Sequence, residues 1–483
     1  MSYPPEFTVA APDPAALAAL EGHLAIALPP DGKLDKLGRK LNSLTRKALE
    51  RVVGGRAWEK LSEGDVVTLA WPGGLAAEAL HVAKLSRKPA VADLRKAGGA
   101  IAAAVGEGAL TVHLGKLAGA PELALGIALR AYRFDRHRSE APGGPLGPVT
   151  LWCDGGAELS DALARVRGVA LARDLVNEPS NVLTTTDFAE RLVALEAHGL
   201  EVRVLDEDRL AELGMGALLA VGQGSDSPSK VVVMEWKGGG DAAPVALVGK
   251  GVVFDTGGIS IKPSKGMEEM TMDMGGAATV AGAMLTLALR GAKANVVGLV
   301  GLVENMPSGN AYRPGDVLRS MKGDTIEVIS TDAEGRLVLA DVLWYAQETY
   351  APAAIVDLAT LTGAVIASLG DEMTGLFAND DALAEAITAA GRAEGETCWR
   401  LPLDPAYDRL LKSRVADMVN SAGKPPGAIV AAQFLKRFVM EGQPWVHLDI
   451  AGTATKSGAW SLGPRGGTGW GVLTLDRWIE ERA

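Results

Sequence analysis

Apolar residues in the second part of the chain follow two alternating patterns. β-Branched runs predict strands at VRVLD, KVVVMEW, PVALVGKGVVF, NVVGLVGLV, TIEVIS and AAIVDLATL. Runs with helical spacing lie between several of them, at AATVAGAMLTLALRG, LVLADVLWYAQETY and AIVAAQFLKRF. This alternation predicts an α/β domain with a central mixed, largely parallel sheet flanked by helices. Ligands of such sheets bind at the carboxyl ends of the strands.

The first 150 residues predict a smaller α/β domain. AALAALEGHLAIAL, LGRKLNSLTRKALERVV and PELALGIALRAYRF have helical spacing, whereas DVVTLAW and ALTVHL are typical of short strands. The Pro- and Gly-rich APGGPLGP at 141–148 marks a boundary, and the strand-like VTLWCD precedes a long helical run over 159–179. We therefore predict an N-terminal α/β domain over 1–150, a linker strand and connecting helix over 151–178, and a larger α/β domain over 179–483.

The composition is that of a globular protein with unevenly distributed charge. Hydrophobic residues make up 48% and charged residues 22% of the 483 positions, which is typical of soluble domains. The net charge of −11 argues against a general nucleic-acid-binding surface. Residues 1–150 carry a net charge of +4 and the remainder a net charge of −15. The acidic character therefore belongs to the larger predicted domain.

Cysteine content and the absence of targeting patterns predict a cytoplasmic protein. Only Cys153 and Cys398 occur, too few for a disulfide framework. The N-terminal stretch lacks a basic region followed by an apolar core, so we do not expect a signal peptide. No uninterrupted apolar run reaches the roughly 18 residues that a membrane span needs, and no membrane partner is expected.

The stretch STDAEGRLVLAD places charged side chains at alternate positions. Asp332, Glu334 and Arg336 would share one face of an extended segment. Taken alone, these residues are more typical of a solvated turn between a strand and a helix. Two carboxylates side by side repel each other unless a cation lies between them. The choice between a turn and a ligand cluster therefore depends on further ligands elsewhere in the chain.

Other acidic residues favour a metal site over a turn. Asp255 follows a buried strand in VALVGKGVVFDTGG, and Asp273 precedes a helical run, where it could alternatively be an N-cap. A phosphate-binding loop is not indicated, since the required spacing of Gly and Lys is absent. Together with Asp332 and Glu334, these carboxylates would balance two divalent cations, an arrangement common in hydrolases. Lys262 and Arg336 could then stabilise an oxyanion.

Histidine is too scarce to dominate such a site. Six histidines occur, and only His198 and His447 lie beyond residue 150. A metal site in the acidic part of the chain must therefore depend on carboxylates. Oxygen-rich sites suit Mg²⁺ and Mn²⁺ and, less typically, Zn²⁺.

Several motifs in this order resemble those of the leucyl aminopeptidase (cytosol aminopeptidase) family of two-metal metallopeptidases. They are VGKGVVFDTGGISIKPS, MDMGGAATV, ENMPSGNAYRPGD, TDAEGRLVLAD and DLATLTGA. The resemblance covers essentially all of 165–483, whereas 1–150 match only loosely. It implies a variable N-terminal domain and a catalytic domain over 179–483. It also implies a homohexamer that removes N-terminal leucine and other, mainly apolar, residues from peptides through a two-metal-activated hydroxide.

The resemblance also implies roles for individual residues. The implied metal ligands are Lys250, Asp255, Asp273, Asp332 and Glu334, for two ions per subunit (Mn²⁺ or Zn²⁺, with Mg²⁺ as a third candidate). Asp255 and Glu334 would bridge both ions, and Lys250 would bind as a neutral amine. Lys262 would polarise the scissile carbonyl, and Arg336 would hold a bicarbonate acting as general base. The implied substrate pocket consists of Met270, Thr360, Leu361, Gly363 and Ala451.

Two departures from the family pattern and two alternative functions remain open at this point. Ser330 stands where Asn is usual, and Thr185 stands where Pro is usual. Neither removes a metal ligand, so they bear on substrate preference more than on chemistry. A dipeptidase acting, for example, on cysteinylglycine fits the same residues. A DNA-binding regulator or recombination accessory protein built on the same fold is the second alternative, compatible with the +4 charge of 1–150.

Overall fold

The computed structural model describes residues 3–141, 143–423 and 425–482. The chain forms two compact units, each assembled from two segments. The first unit comprises Met1–Arg167 and Gly458–Arg465, and the second comprises Gly168–Ser457 and Gly466–Ala483. The predicted domain limits at residues 150 and 178 stay a prediction.

The first unit contains a mixed sheet with helices on both faces. Its strands are β1 (Phe7–Ala10), β2 (His23–Leu28), β3 (Val66–Ala70), β4 (Ala79–Lys84), β5 (Gly108–Gly115) and β6 (Leu146–Cys153). The helices that begin in it are α1 (Lys36–Leu44), α2 (Ala48–Val53), α3 (Arg56–Lys60), α4 (Val91–Val105), α5 (Ala120–Ala131) and α6 (Ser160–Asn177). The strand order is β1-β6-β5-β2-β4-β3, and every pair is parallel except β3 with β4.

Side chains of β2 alternate between two hydrophobic clusters on opposite faces of this sheet. Leu24 and Ile26 pack with Leu37 and Leu41 of α1 on one face. Ala25 belongs to the cluster that contains the buried residues of α4 and α5 on the other face. The period of two along the strand places successive residues in different cores.

The helix predicted over AALAALEGHLAIAL is wrong. Only the short 3₁₀ turn Ala16–Ala18 is helical there, and His23–Leu28 form β2. Gly22, with a φ of +73°, interrupts the run, and β2 pairs with a parallel strand on each side. Sheet hydrogen bonds across the chain therefore outweigh the local helical pattern.

The helix predicted over LGRKLNSLTRKALERVV is divided in two. Arg46 and Lys47 have φ values of 50° and 64°, which a continuous right-handed helix does not permit. The chain accordingly ends α1 and begins α2 at this point.

The second unit is larger and is built around a second sheet. Its strands are β7 (Glu201–Leu205), β8 (Lys230–Lys237), β9 (Val245–Asp255), β10 (Asn295–Asn305), β11 (Val317–Arg319), β12 (Thr325–Glu327), β13 (Ala354–Ala359), β14 (Thr374–Ala378), β15 (Cys398–Arg400), β16 (Met418–Val419), β17 (Trp445–Asp449), β18 (Thr455–Lys456) and β19 (Gly466–Gly467). Its helices are α7 (Thr185–Val193), α8 (Glu207–Glu212), α9 (Gly216–Gly222), α10 (Gly275–Arg290), α11 (Gly335–Tyr350), α12 (Gly363–Leu369), α13 (Asp381–Glu394), α14 (Pro405–Asp408), α15 (Gly427–Lys436) and α16 (Val472–Arg482).

The central sheet of the second unit is mixed, with parallel strands at its centre. Its order is β15-β14-β17-β13-β9-β10-β8-β7. The neighbours β17, β13, β9 and β10 are parallel, whereas β8 is antiparallel to both β10 and β7. Helices α10 and α11 pack against β9 and β10, with almost all of their residues buried. The predicted mixed, largely parallel α/β sheet flanked by helices is confirmed.

One segment of the second unit is apolar enough to resemble a membrane span. Met267–Arg290 meets the criterion by length and composition, but 89% of its most apolar window is buried inside the protein. The segment includes α10, which packs on the sheet. A buried core helix meets the same criterion, so the segment is weak evidence for a membrane span.

The segment Gly458–Arg465 completes the first unit from far along the chain. A Cβ added at Gly99, in α4, would lie 2.1 Å from the carbonyl oxygen of Ser461. This close approach requires glycine at position 99.

Candidate metal centre

Two parallel strands carry polar side chains to the same edge of the central sheet. Lys250 lies in the middle of β9, and Asp255 is its last residue. Asn305 ends the neighbouring β10 and is paired in register with Asp255. Because both strands run in the same direction, their last residues meet at one edge, where α/β sheets bind ligands.

The turn before α11 supplies two more carboxylates, but not in the extended form that the spacing suggested. Glu334 has helical dihedral angles, with φ −80° and ψ −40°, and immediately precedes α11. Arg336 lies in the first turn of that helix, and Asp332 lies in the preceding turn. The prediction of a shared extended face is therefore wrong, since the helix begins within the motif.

Asp273 lies between the 3₁₀ helix Met267–Met272 and α10. The N-cap of α10 is Met274, so the alternative that Asp273 caps this helix is wrong. Its carboxylate is instead turned to Lys250 and Thr360. The Thr360 hydroxyl donates to Asp273 Oδ1 at 2.9 Å and fixes that side chain.

The two lysines are each held between two carboxylates. Lys250 Nζ lies 2.8 Å from Asp273 Oδ1 and 2.8 Å from Glu334 Oε1. It also donates to the carbonyl oxygen of Thr360 at 3.0 Å. Lys262 Nζ lies 2.8 Å from Asp255 Oδ2 and also contacts Asp332 Oδ1. Each lysine thus forms a group with two carboxylates, and the two groups adjoin because carboxylate oxygens of Asp255, Asp273 and Glu334 lie within 4.8 Å of one another.

Burial makes these charges interdependent. Burial raises the pKa of Asp255 to about 6, and repulsion from Glu334 adds to the shift. Burial likewise raises the pKa of Asp273 well above its ordinary value. Burial opposes the charged form of Lys250, but the carboxylates of Asp273 and Glu334 outweigh it and raise the pKa of Lys250. The cluster therefore strongly favours positive charge at its centre.

The donor set fits divalent cations. Carboxylate oxygens of Asp255, Asp273 and Glu334 lie within 4.8 Å of one another, and all three residues are buried. Asp273 Oδ2 is buried and has no hydrogen-bond partner among the described residues. When all four carboxylates are ionised, their charge exceeds that of the two lysines by two. A buried oxygen without a donor and an excess of negative charge are both what a cation-binding site requires.

Arg336 has the properties of a buried anion-binding group. Its guanidinium donates through Nη1 to the carbonyl oxygen of Asn420 at 2.9 Å. Its Nε is buried without a hydrogen-bond partner among residues 3–141, 143–423 and 425–482. Burial lowers the pKa of Arg336 to about 10, so the side chain stays charged at neutral pH. An unpaired donor on a buried cation fits a small anion.

One cavity of about 520 Å³ joins the cluster to an apolar wall. Every residue predicted to bind metal, to act in catalysis or to bind substrate lines it, including Met270, Thr360, Leu361, Gly363 and Ala451. Met267 and Ile366 line it as well and were not predicted. The cavity thus places an apolar surface beside the charged cluster.

Sequence reasoning missed the residues that support this centre from behind. Asp255 Oδ1 accepts hydrogen bonds from the Gly257 amide at 2.9 Å and from Asn305 Nδ2 at 2.7 Å. Asp449 accepts from the amide of Leu361 at 3.1 Å and from the Thr362 hydroxyl at 2.6 Å. The pairing register of β9 with β10 could have indicated Asn305. No periodic signal marks Asp449.

The two departures from the family pattern have simple structural roles. The hydroxyl of Ser330 accepts from the Asp332 amide at 3.2 Å and supports the turn that presents that carboxylate. Thr185 is the first residue of α7, a position that favours proline. Its amide donates to Ser227 Oγ at 3.2 Å, a hydrogen bond that proline could not form.

A cluster of carboxylates and lysines at the strand ends of an α/β sheet, beside an open cavity, defines a metal-dependent hydrolase. The family model described as the catalytic domain of the cytosol aminopeptidase family matches residues 170–476. The chain belongs to the cytosol aminopeptidase family. It is therefore a metal-dependent aminopeptidase that acts on peptides.

Relatives cover the whole length of the chain. A probable cytosol aminopeptidase of Dinoroseobacter shibae is 58% identical over 97% of both chains, and one of Cereibacter sphaeroides is 55% identical over 100% of this chain and 99% of its own. A solved variant of tomato leucine aminopeptidase superposes with a TM-score of 0.85 at 32% identity, over 99% of this chain and 96% of its own. The bottromycin maturation enzyme BotP in complex with Mn superposes with a TM-score of 0.83 at 36% identity, over 95% of this chain and 99% of its own. Nothing in these comparisons supports the DNA-binding alternative.

Proposed function

We propose that this protein removes leucine and other apolar residues from the N-termini of peptides by using two divalent cations. Lys250, Asp255, Asp273, Asp332 and Glu334 would hold them. The observation that carries this proposal is the convergence of three buried carboxylates within 4.8 Å beside the unpaired Asp273 Oδ2. Asp255 and Glu334 would be shared by the two ions, as the resemblance implies, and the charges of both lysines act on each of these carboxylates.

Exposure distinguishes the two cation positions. Lys250 and Asp273 are almost fully buried, with side-chain exposures of 2% and 6%. The side chain of Asp332 is 38% exposed. We therefore assign the tighter cation to Lys250 and Asp273, and the more exchangeable one to Asp332. Lys250 would bind as a neutral amine.

The bound cations supply a hydroxide nucleophile at neutral pH and polarise the carbonyl of the scissile bond. Lys262 keeps its charge beside Asp255 and Asp332, since those carboxylates raise its pKa against the effect of burial. Its ammonium would stabilise the negative charge that develops on the carbonyl oxygen. Arg336 would hold a bicarbonate through its unpaired Nε, and this anion would accept the proton that the water loses when it becomes the hydroxide nucleophile.

The apolar wall of the cavity accounts for the proposed preference. Met270, Leu361 and Ala451 offer apolar contact to the side chain of the first residue, with Thr360 and Gly363 beside them. Besides Lys250, Lys262 and Arg336, the described lining residues include one further cation, Lys265. Leucine fits such a surface better than a charged residue does. A variant of tomato leucine aminopeptidase, with the same fold, supports this preference.

Mn²⁺ and Zn²⁺ are the proposed metals, with Mg²⁺ as a third candidate. The oxygen-rich ligand set suits Mn²⁺ and Mg²⁺, and BotP is described in complex with Mn. The amine of Lys250 adds a nitrogen ligand, which Zn²⁺ accepts readily.

We also propose a cytoplasmic homohexamer. The location follows from the name of the relatives and from the low cysteine content. The assembly follows from family membership alone. Light scattering at micromolar concentration should give six times the mass of one chain, and a monomer mass would contradict the proposal.

Chelation tests the metal requirement. Exhaustive chelation should abolish release of leucine from leucyl amide, and added Mn²⁺, Zn²⁺ or Mg²⁺ should restore it. Metal analysis before and after treatment identifies how many ions each chain holds. Full activity in protein without metal would show that the two-metal mechanism is wrong.

A further inference from the structure

The first unit has a crevice at the carboxyl ends of three neighbouring parallel strands. β2 pairs with β4 on one side and with β5 on the other. After β2 the chain enters α1, which packs on one face of the sheet, and after β5 it enters α5, which packs on the opposite face. Adjacent strands whose connections leave to opposite faces open a crevice between them. Open α/β sheets bind ligands at this position.

The crevice combines an apolar floor with a charged rim. Its volume is about 260 Å³, enough for a small molecule. Leu28, Leu85 and Leu114 form the buried apolar part. Lys33 follows β2, Arg87 follows β4 and Lys116 follows β5, so each strand contributes one cation to the rim.

The cations of the rim exceed its available carboxylates. Arg87 pairs with Asp31, with 2.7 Å between Nη2 and Oδ2. Lys33 and Lys116 form no ion pair anywhere within the three stretches of chain that the structure describes. Both side chains are exposed. Two ammonium groups without an ion pair therefore line the crevice, one after each of the adjacent strands β2 and β5.

Asp35, the carboxylate inside the crevice, is already satisfied. It accepts a hydrogen bond from His113 Nε2 at 2.8 Å and from the Gly38 amide at 2.7 Å. The bond from His113 is the main cause that lowers the pKa of Asp35. His113 itself is 3% exposed, and its Nδ1 has no partner among the described residues. The three cations Lys33, Arg87 and Lys116 therefore outnumber the two carboxylates near them, Asp31 and Asp35, by one.

We propose that this crevice binds a small molecule that carries a phosphate group. Lys33, Arg87 and Lys116 would hold the phosphate, and the rest of the ligand would pack on Leu28 and Leu114. Phosphate fits three cations because it spreads its charge over several acceptor oxygens, whereas a carboxylate offers two. The crevice and the metal centre belong to different units, so this is a second site and not part of the peptidase cavity.

Titration calorimetry on the full-length, metal-loaded protein tests this site. The probes are a nucleoside diphosphate, a hexose phosphate and inorganic phosphate. The double variant Lys33→Ala/Lys116→Ala removes both unpaired cations, and Lys40→Ala, on the exposed side of α1, is the matched control. We expect saturable binding of at least one organic phosphate, competition by inorganic phosphate, and affinity lower by about tenfold or more in the double variant. Lys40→Ala should bind as the wild type does.

The same experiment separates this site from the metal centre. Phosphates also bind divalent cations, and such binding would persist in the double variant. A ligand bound with equal affinity by the wild type and the double variant would overturn the proposal. So would the absence of saturable binding for all three probes. Leucyl amide hydrolysis should be unchanged in the double variant, because neither lysine lies in the peptidase cavity.

Discussion

Gly335→Ala should weaken the proposed metal centre without weakening the helix that Gly335 begins. Gly335 is the first residue of α11 and does not have a positive φ, so alanine fits its backbone. Alanine also favours helix over glycine by about 1 kcal/mol. The added Cβ, however, would lie 2.6 Å from Cδ and Cε of Lys250 and 2.7 Å from its Nζ. The expected defect therefore comes from Lys250.

To relieve the clash with the added Cβ, Lys250 would have to move by about 1 Å, because carbon atoms in contact lie roughly 3.5–4.0 Å apart. Lys250 is 2% exposed, so it has little free space into which to move. Its Nζ is held at 2.8 Å by each of Asp273 and Glu334. Hydrogen bonds of charged groups contribute about 1.5–3 kcal/mol each, and overpacking costs about 1–3 kcal/mol.

We expect metal affinity to fall about 10–100-fold, as it does when partners of metal ligands are altered. We expect kcat to fall on the order of 10²-fold, the effect of a misplacement of about 1 Å in a catalytic site.

The assay is a titration of demetallated protein with Mn²⁺, with bound metal and leucyl amide hydrolysis measured together. Gly363→Ala is the matched control, because Gly363 is the first residue of α12 and no atom lies within 4 Å of its added Cβ. Gly363 lines the cavity, so the two variants are compared by metal affinity only. Wild-type metal affinity in Gly335→Ala would refute the reasoning that the buried position of Lys250 fixes the centre.

Three further predictions concern single side chains. Glu334→Ala should lose metal and activity together, whereas Lys262→Ala should keep its metal and lose about 10²–10³-fold in kcat. Metal analysis beside steady-state kinetics distinguishes the two variants. A wild-type kcat for Lys262→Ala would show that the role assigned to Lys262 is wrong. Burial raises the pKa of Asp341 to about 7, so the folded state favours its protonated form. The free energy of unfolding therefore falls as the pH rises from about 4 to about 7, by up to about 4 kcal/mol. Asp341→Asn should remove that part of the pH dependence in urea unfolding, and an unchanged slope would contradict the assignment. Asp380→Ala should lower the unfolding free energy by about 1 kcal/mol, because the Asp380 carboxylate caps α13 by accepting a hydrogen bond from the Leu383 amide at 2.7 Å. Equal urea midpoints for variant and wild type would contradict this role of Asp380.

Long, uniform patterns predicted the second unit well. The run PVALVGKGVVF corresponds to β9 and NVVGLVGLV to β10, because β-branched residues buried on both faces leave an uninterrupted apolar signal. The strand predicted over TIEVIS is only partly correct, because only Thr325–Glu327 form a strand, and this strand lies outside the central sheet. In the first unit, alanine-rich AALAALEGHLAIAL has a local preference for helix, yet its second half forms β2. Only its pairing with β4 and β5 decides the outcome.

The chemistry of the centre was easier to predict than its geometry. Motif resemblance named the residues, and the cavity contains all of them. It did not indicate that Lys250 would be paired with Asp273 and Glu334, or that Asn305 would support Asp255. These contacts depend on strand register and on where α10 and α11 begin. Such features follow from packing across the whole unit, which no local pattern records.

The late segment Gly458–Arg465 has a consequence for biosynthesis. Ser461 contacts Gly99 inside a unit that otherwise ends at Arg167. A ribosome therefore has to synthesise residues 168–457 of the second unit before the first unit can acquire this segment. Chains that stop before residue 458 would expose the surface of α4 that this segment covers. A truncation within the second unit would thus also leave the first unit incomplete.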